Sequence, residues 1–440
     1  MGKEAFRHAV EWIKHLKIYF VTLAKWLVVS VFVGVLCGLI GTAFHYGVSA
    51  VTAFRGANPW MLYLLPVAGL VITAIYQLTR QEGVGTDAVL SEVQTGTGLH
   101  ILLLPAIFLS TILTHMCGGS AGREGAALQM GGTIGYQAGR LFRLDERDMR
   151  TVTMVGMAAF FTALFGTPLA ASIFSIVVIS IGALYHAAFI PCFTASLTAY
   201  GVSLFLGVEP EHFSVAVPAV SAPMFVKVAA LAALCALVSV LFVSVIHFAE
   251  HNVKHLIRNK WLRAVVGGCA IIALTLLVGS TDYNGAGMNI IELAIEEGRA
   301  RPEAFLMKLL FTAVTLSTGF KGGEVVPSFF VGATFGCVVG PLLGIPAGFA
   351  AAVGLVAVFC GAVNCPIAST FLAIELFGAD GLLFYALACG MSFMLSGYSS
   401  LYSSQKILYS KLKAQYINVH ANAYHAGQPT EASEKYSVIK

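Results

Sequence analysis

Gly118-Gly119-Ser120-Ala121-Gly122-Arg123-Glu124-Gly125, running on through Gly131, Thr133 and Gly135, decides the reading of this chain. The pattern returns 201 residues later as Gly319-Phe320-Lys321-Gly322-Gly323-Glu324-Val325-Val326-Pro327, running on through Gly332, Thr334 and Gly336. Beyond each copy, Pro168-Leu169-Ala170 falls over Pro366-Ile367-Ala368 at an offset of 198. Two motifs in the same order at nearly the same spacing mark an internal repeat.

The surroundings of the repeat set its medium. Of 440 residues, 11% are charged and 58% apolar, against roughly 25% charged in a soluble domain. No Asp, Glu, Lys or Arg occurs in the 58 residues from Thr151 to Val208, nor from Val325 to Ile374. As one helix the first run would reach about 87 Å, whereas the hydrocarbon layer is about 30 Å thick. Each run must therefore hold several crossings. The runs lack the ten-residue alternation of a transmembrane barrel, so the expected class is an all-α polytopic membrane protein.

The net charge of +4 comes from four basic clusters: Lys14, Lys17 and Lys25; Arg140, Arg143, Arg147 and Arg150; Lys254, Arg258, Lys260 and Arg263; Lys406, Lys411 and Lys413. The positive-inside bias makes them cytoplasmic, which puts both termini in the cytoplasm and makes the number of crossings even. Nothing in this arrangement suggests a nucleic-acid partner. The expected organisation is an amphipathic surface helix over 1–17, a first membrane repeat over 18–208, a loop over 209–222, a second repeat over 223–412 and a polar cytoplasmic tail over 413–440. Phe6, Ala9, Val10, Ile13 and Leu16 share one face of the first segment, which does not read as a cleavable signal. No appended regulatory domain is expected beyond this tail.

Glycine and proline cluster inside the apolar stretches, as expected of broken helices meeting at membrane depth, where irregular backbone must face protein or a polar cavity. Two such halves point to a transporter with its site at the midplane between repeats. A half-helix that begins there aims unpaired N–H groups and partial positive charge at the site, which favours an anion. Glu124, framed by glycines, is the foremost candidate, because an ionisable group at membrane depth is a functional-site hypothesis by default. A carboxylate aimed at two helix N-termini imitates the transported anion, and protonation releases it. The bland alternative is an ion pair with Arg123 at a membrane surface.

On the Gly122–Gly125 signature the chain resembles the CLC family of anion channels and transporters, from about Lys17 to Leu412. The resemblance implies the CLC fold, with two inverted-topology repeats, and a homodimer. It makes Glu124 the gating and proton-coupling glutamate, although Ala126 stands where the family has proline. It places Val84, Gly85, Arg123, Gly125, Gly323, Glu324, Val325 and Val326 around the anion, with the N–H groups of Glu324 and Val325 as contacts and the Tyr402 hydroxyl as a further ligand. Read without the family, Tyr402 is an interfacial anchor.

Departures from the chloride-transporting pattern fall at the site itself. Val84 replaces the serine of Gly-Ser-Gly and cannot donate a hydrogen bond; Val178 stands where chloride–proton exchangers carry an internal glutamate; Glu324 puts a carboxylate where they are apolar. These features resemble the CLC-F branch of fluoride–proton antiporters, although that branch usually has threonine at Val326 and methionine or asparagine at Val84. Glu324 is read either as a group handling protons or fluoride or as a carboxylate capping its own helix. Glu375 reads as structural, paired with backbone or a cytoplasmic lysine.

The resulting expectation is a plasma-membrane antiporter that exports fluoride in exchange for protons, a homodimer in the lipid bilayer, with no enzymatic activity and no cofactor. The alternative is a chloride–proton antiporter or passive chloride channel of the same fold. No metal site is expected: the nine cysteines read as small buried apolar residues, and His247, His251 and His255 as the solvated end of a cytoplasmic helix. Hydrolase, metalloprotease and phosphate-loop signatures are missing.

Overall fold

The computed structural model describes residues 2–413 and 415–422. Its helices fall into two sets of eight in the same order. The first comprises α1 (Gly2–Ala57), α2 (Leu65–Leu78), α3 (Thr86–Thr95), α4 (Leu103–Cys117), α5 (Glu124–Leu141), α6 (Glu146–Phe165), α7 (Pro168–Val177) and α8 (Phe189–Phe205). The second comprises α9 (Ala222–Leu256), α10 (Lys260–Val278), α11 (Met288–Glu296), α12 (Ala304–Ser317), α13 (Val325–Val339), α14 (Ala347–Val363), α15 (Pro366–Phe377) and α16 (Leu382–Leu395). Among the described residues six helical stretches are long and apolar enough to cross a membrane, and the shorter apolar helices include α4, α7, α12, α14 and α15. Each uncharged run is thus cut into several helices, as its length required.

The cuts fall at repeated positions for a local reason. α4 and α12 both end at a glycine with positive φ, Gly118 at 88° and Gly319 at 103°, a conformation that costs glycine nothing and other residues a Cβ clash. Beyond each break the chain runs extended for a few residues and then starts α5 or α13. α5 lies backbone to backbone on α6, where a Cβ on Gly131 would collide with the carbonyl of Gly156; α13 lies on α14 through Gly332 and Gly354 in the same way. Close approach through small residues is the usual means of packing helices in lipid, where burial from water supplies no drive.

The first crossing and the expected surface helix are one continuous helix, α1, and the side chains of Phe6, Ala9, Val10 and Ile13 lie outside the described residues. The C-terminal boundary moves. Strands β1 (Ser180–Ile181), β2 (Lys406–Tyr409) and β3 (Tyr416–His420) form a small sheet, β1 parallel to β2 and β2 antiparallel to β3. Ile181, Ile407 and Ile417 form a separate apolar cluster there, so residues up to 422 belong to the folded body rather than to a polar tail.

The basic clusters gather at one end. Lys25 pairs with Asp148, Arg147 and Arg150 border a cavity with Leu408, and Lys254 and Arg263 share another with Tyr402 and Ser403. Eight of the nine cysteines are buried and Cys269 is exposed.

Candidate ion-binding site

The two copies of the glycine motif meet face to face. Gly122 N–H donates to the Gly323 carbonyl at 2.7 Å and Gly323 N–H returns a bond to Gly122 at 2.8 Å, an antiparallel bridge. These are repeat-equivalent residues, and an antiparallel pair of equivalents is possible only where a local two-fold axis passes between them. Side chains around the bridge obey the same axis. Ser120 N–H donates to Thr315 Oγ1 at 3.0 Å, and Lys321 N–H, its repeat equivalent, donates to Thr114 Oγ1 at 3.2 Å. The bridge holds the starts of α5 and α13 against each other, so the free first-turn N–H groups of both converge on one spot.

Glu124 occupies that spot. It is 0% exposed, and its Oε2 accepts from Arg123 N–H at 3.0 Å and from Val326 N–H at 3.3 Å. One carboxylate oxygen therefore bridges the helix starts of the two repeats. Oε1 is buried with no hydrogen-bond partner among the described residues, 3.8 Å from Arg123 Nε. The Arg123 guanidinium turns the other way, to Glu211 at 2.8 Å and His45 Nδ1 at 3.0 Å. Arg123 contributes its N–H to the carboxylate, and the surface ion pair is not what fixes Glu124.

The second helix start contributes one donor to the carboxylate. The N–H on the carboxylate is that of Val326; neither Glu324 nor Val325 donates to it among the described residues. Glu324 makes no side-chain capping bond to α13. It lines instead a cavity of about 330 Å³ together with Val84, Gly85, Gln129 and Tyr402. Glu324 thus sits at the start of α13 and borders the cavity as well. Tyr402 is 1% exposed with its hydroxyl buried and unpartnered. Tyr402 lines the same cavity as Glu324.

Val84 presents an apolar wall. Its N–H is taken by the Gln81 carbonyl at 3.1 Å, so neither side chain nor amide is available to an anion. Gly125 lies with its Cα against Gly323 at the same junction. Val178 is buried, its carbonyl accepting from Gln405 Nε2 at 3.1 Å, and it brings no carboxyl to the path.

Glu375 lies apart from the site with both oxygens accepting N–H groups of the other repeat, Leu169 and Ala170, each at 2.9 Å. The pairing is with backbone, and no lysine partner is found among the described residues. His247 Nε2 contacts the Ser400 carbonyl at 2.8 Å, which anchors the segment leading to Tyr402, and the rings of His251 and His255 lie 4.5 Å apart, tilted by 52°. Sequence reading missed Gln129, whose Nε2 approaches Thr86 Oγ1 at 3.4 Å while its Oε1 is buried and unpartnered. A glutamine five residues beyond Glu124, among the small and apolar residues Gly125–Gly132, was the available signal.

Two equivalent half-helix starts joined on a two-fold axis, closed by a carboxylate and opening onto a cavity, define a membrane protein of the anion-transporting class. The chain belongs to the CLC family: residues 68–397 match the family described as "Voltage gated chloride channel". It is 36% identical over 398 residues to a "Chloride/fluoride channel protein" of Pseudomonas syringae pv. tomato, covering 88% of each chain. It is 25% identical to the H(+)/Cl(-) exchange transporter ClcA of Vibrio cholerae, covering 80% of this chain and 81% of that one. A crystal structure of a CLC-type fluoride/proton antiporter superposes with a TM-score of 0.83 at 32% identity, over 88% of this chain and 98% of that one. The all-α CLC fold read from the two glycine motifs is thereby established.

Proposed function

We propose that the protein is a fluoride–proton antiporter of the CLC-F type, a homodimer of the plasma membrane with both termini cytoplasmic, exporting fluoride as protons enter. The observation that carries the reading is the Glu124 carboxylate seated on Arg123 and Val326 N–H groups. A charged carboxylate and an anion compete for those donors; a protonated carboxyl competes poorly and yields the place, carrying its proton with it. Anion movement and proton movement are in this way coupled at one side chain.

Fluoride is favoured over chloride by what surrounds the donors. Fluoride is small, strongly hydrated and basic enough to accept strong hydrogen bonds, and Glu324, once protonated, offers it an O–H donor. Tyr402 supplies a second. Val84 withholds the hydroxyl that a larger halide would use at the same place. The relatives described as handling fluoride agree with this assignment.

Proteoliposomes loaded with sodium fluoride or sodium chloride test it, with the external anion and pH recorded together. Fluoride exit with stoichiometric proton uptake, and little chloride exit, is expected. Free chloride exit without proton uptake would replace the reading by a passive chloride channel, and chloride exit with proton uptake by a chloride–proton antiporter.

A further inference from the structure

The loop that joins the two repeats, 209–222, is pinned to both of them beside the site. Glu211 N–H donates to the Phe165 carbonyl at the end of α6 at 3.1 Å, and Phe213 N–H to the Leu376 carbonyl of α15 at 2.9 Å. Gly166, with φ at 70°, lies so close to Pro210 that a Cβ on it would stand 2.4 Å from the proline Cβ, so only glycine can turn the chain here. These contacts fix where the Glu211 carboxylate sits.

That carboxylate holds the Arg123 guanidinium. Nη2 of Arg123 donates to Glu211 at 2.8 Å and to the Leu164 carbonyl at 3.3 Å, Nη1 donates to His45 Nδ1 at 3.0 Å, and the Phe165 ring centroid lies 5.7 Å from Cζ. Nε stands 3.8 Å from Glu124 Oε1. The distance is beyond hydrogen-bond reach, and a movement of about 1 Å would close it. Oε1 is buried with no hydrogen-bond partner among the described residues. A guanidinium and an open carboxylate oxygen this near to each other gain a charge-assisted bond by pairing, yet here the guanidinium is engaged by a second carboxylate, partly exposed in the loop.

Other ionisable groups around α5 have their own places. On α1, His45 accepts an Arg123 N–H on Nδ1, which puts its proton on Nε2 and leaves the ring neutral. On α4, His115 Nδ1 faces the Thr111 carbonyl at 2.9 Å. On α3, Asp87 accepts from Ser404 and Glu92 from Gly98 N–H. Within α6 no charged residue follows Arg150, Glu324 borders the cavity at the start of α13, and Glu209 and His212 in the loop are exposed.

We propose that Glu211 is a positioning residue for proton coupling, holding the Arg123 guanidinium away from Glu124 Oε1 so that the carboxylate keeps only its two N–H bonds and can take a proton and leave. The loop between the repeats thereby sets how readily the site opens. Without the Glu211 charge the guanidinium is free to bond Oε1, and an opposite charge in contact favours the ionised form of a carboxyl. More acid is then needed to release Glu124. The role deepens the transport reading above and rests on it for the part that Glu124 plays.

Glu211→Gln tests the role in fluoride-loaded proteoliposomes, with efflux recorded over a range of external pH and protein-free vesicles subtracted. The pH of half-maximal exchange moves toward acid by about one unit, the lower end of what a guanidinium does to a neighbouring carboxyl, and Glu211→Asp restores most of it. In an Arg123→Gln background Glu211→Gln gives no further shift, because Glu211 acts through the guanidinium. A lower exchange rate with an unmoved pH profile makes the loop a mere support and overturns the proposal, as does a shift of full size in the Arg123→Gln background. Infrared difference spectra give a readout independent of transport: the carbonyl stretch of protonated Glu124, assigned by its loss in Glu124→Gln, has its pH midpoint moved toward acid in detergent-solubilised Glu211→Gln. If wild type carries chloride and not fluoride while this midpoint shifts, the positioning role stands and the fluoride assignment falls. A midpoint that stays in place overturns the positioning role whichever ion is carried.

Discussion

Replacing Glu124 by glutamine separates the two jobs assigned to its carboxylate. The amide oxygen can still accept from Arg123 N–H at 3.0 Å and Val326 N–H at 3.3 Å, but as a neutral acceptor. Hydrogen bonds to a charged group contribute about 1.5–3 kcal/mol and neutral ones about 0.5–1.5. Two such bonds therefore weaken by about 2 kcal/mol together, and the side chain's hold on the site against a competing anion falls roughly 30-fold. The amide NH₂ would stand where Oε1 has no partner among the described residues, a buried donor without an acceptor, which lowers the hold further. The amide cannot carry a proton. The expected result in fluoride-loaded proteoliposomes is that proton uptake ceases while fluoride moves passively down its gradient, measured by fluoride and pH electrodes in the same cell. Proton uptake at the wild-type rate, with the variant folded by size-exclusion chromatography, refutes the placing of proton coupling at Glu124.

Tyr402→Phe removes one hydroxyl from the cavity and leaves ring packing intact, so fluoride binding weakens by about 1.5–3 kcal/mol; unchanged affinity by calorimetry makes Tyr402 an anchor. Val84→Ser restores a donor and is expected to raise chloride flux relative to fluoride by about tenfold, one hydrogen bond's worth, read from paired efflux assays. Glu324→Ala should slow fluoride–proton exchange without changing protein yield, and an exchange rate equal to wild type assigns that carboxylate no part in transport. Glu375→Gln keeps an acceptor for only one of Leu169 and Ala170 N–H and should destabilise the fold by about 2 kcal/mol, seen as earlier unfolding in detergent titrations.

Much of this arrangement was legible in the sequence because it depends on backbone rules. Glycines at 118 and 319 announce helix ends, prolines at 168 and 366 announce helix starts, and uncharged runs too long for one crossing announce several. What escaped depends on which surfaces meet. Repeat alignment makes Gly122 and Gly323 equivalent, but it does not say that equivalents touch; that follows only once both breaks fold onto the axis. That the N–H of α13 on Glu124 is the one of Val326 depends on the phase of the helix start, where one residue turns an N–H by about 100°, and no composition rule fixes that phase. The short strands near Ile407 and Ile417 lie among polar residues, so their buried faces emerge only with Ile181 beside them. Lys321 and Arg263, read along the chain, belong to separate stretches; the fold lines one cavity with both.

The scaffold is symmetric where it binds backbone and asymmetric where it does chemistry. Gly122 pairs with its own equivalent, Gly323, and each repeat offers N–H groups to the junction. The side chains next to that bridge break the symmetry: Glu124 stands opposite Val325, Arg123 opposite Glu324 and Ser120 opposite Lys321. Had the second repeat kept a glutamate at the equivalent of Glu124, two carboxylates would compete for one set of donors and repel each other, leaving no clear place for an anion. Moving the second carboxylate back by one residue, to Glu324, rotates it by about 100°, off the shared donors and onto the cavity with Tyr402. In the proposed transport cycle one carboxylate closes the site and the other faces the approaching ion. That displacement of a single residue converts a two-fold anion cradle into a path with distinct ends, which a transporter that moves fluoride one way and protons the other requires.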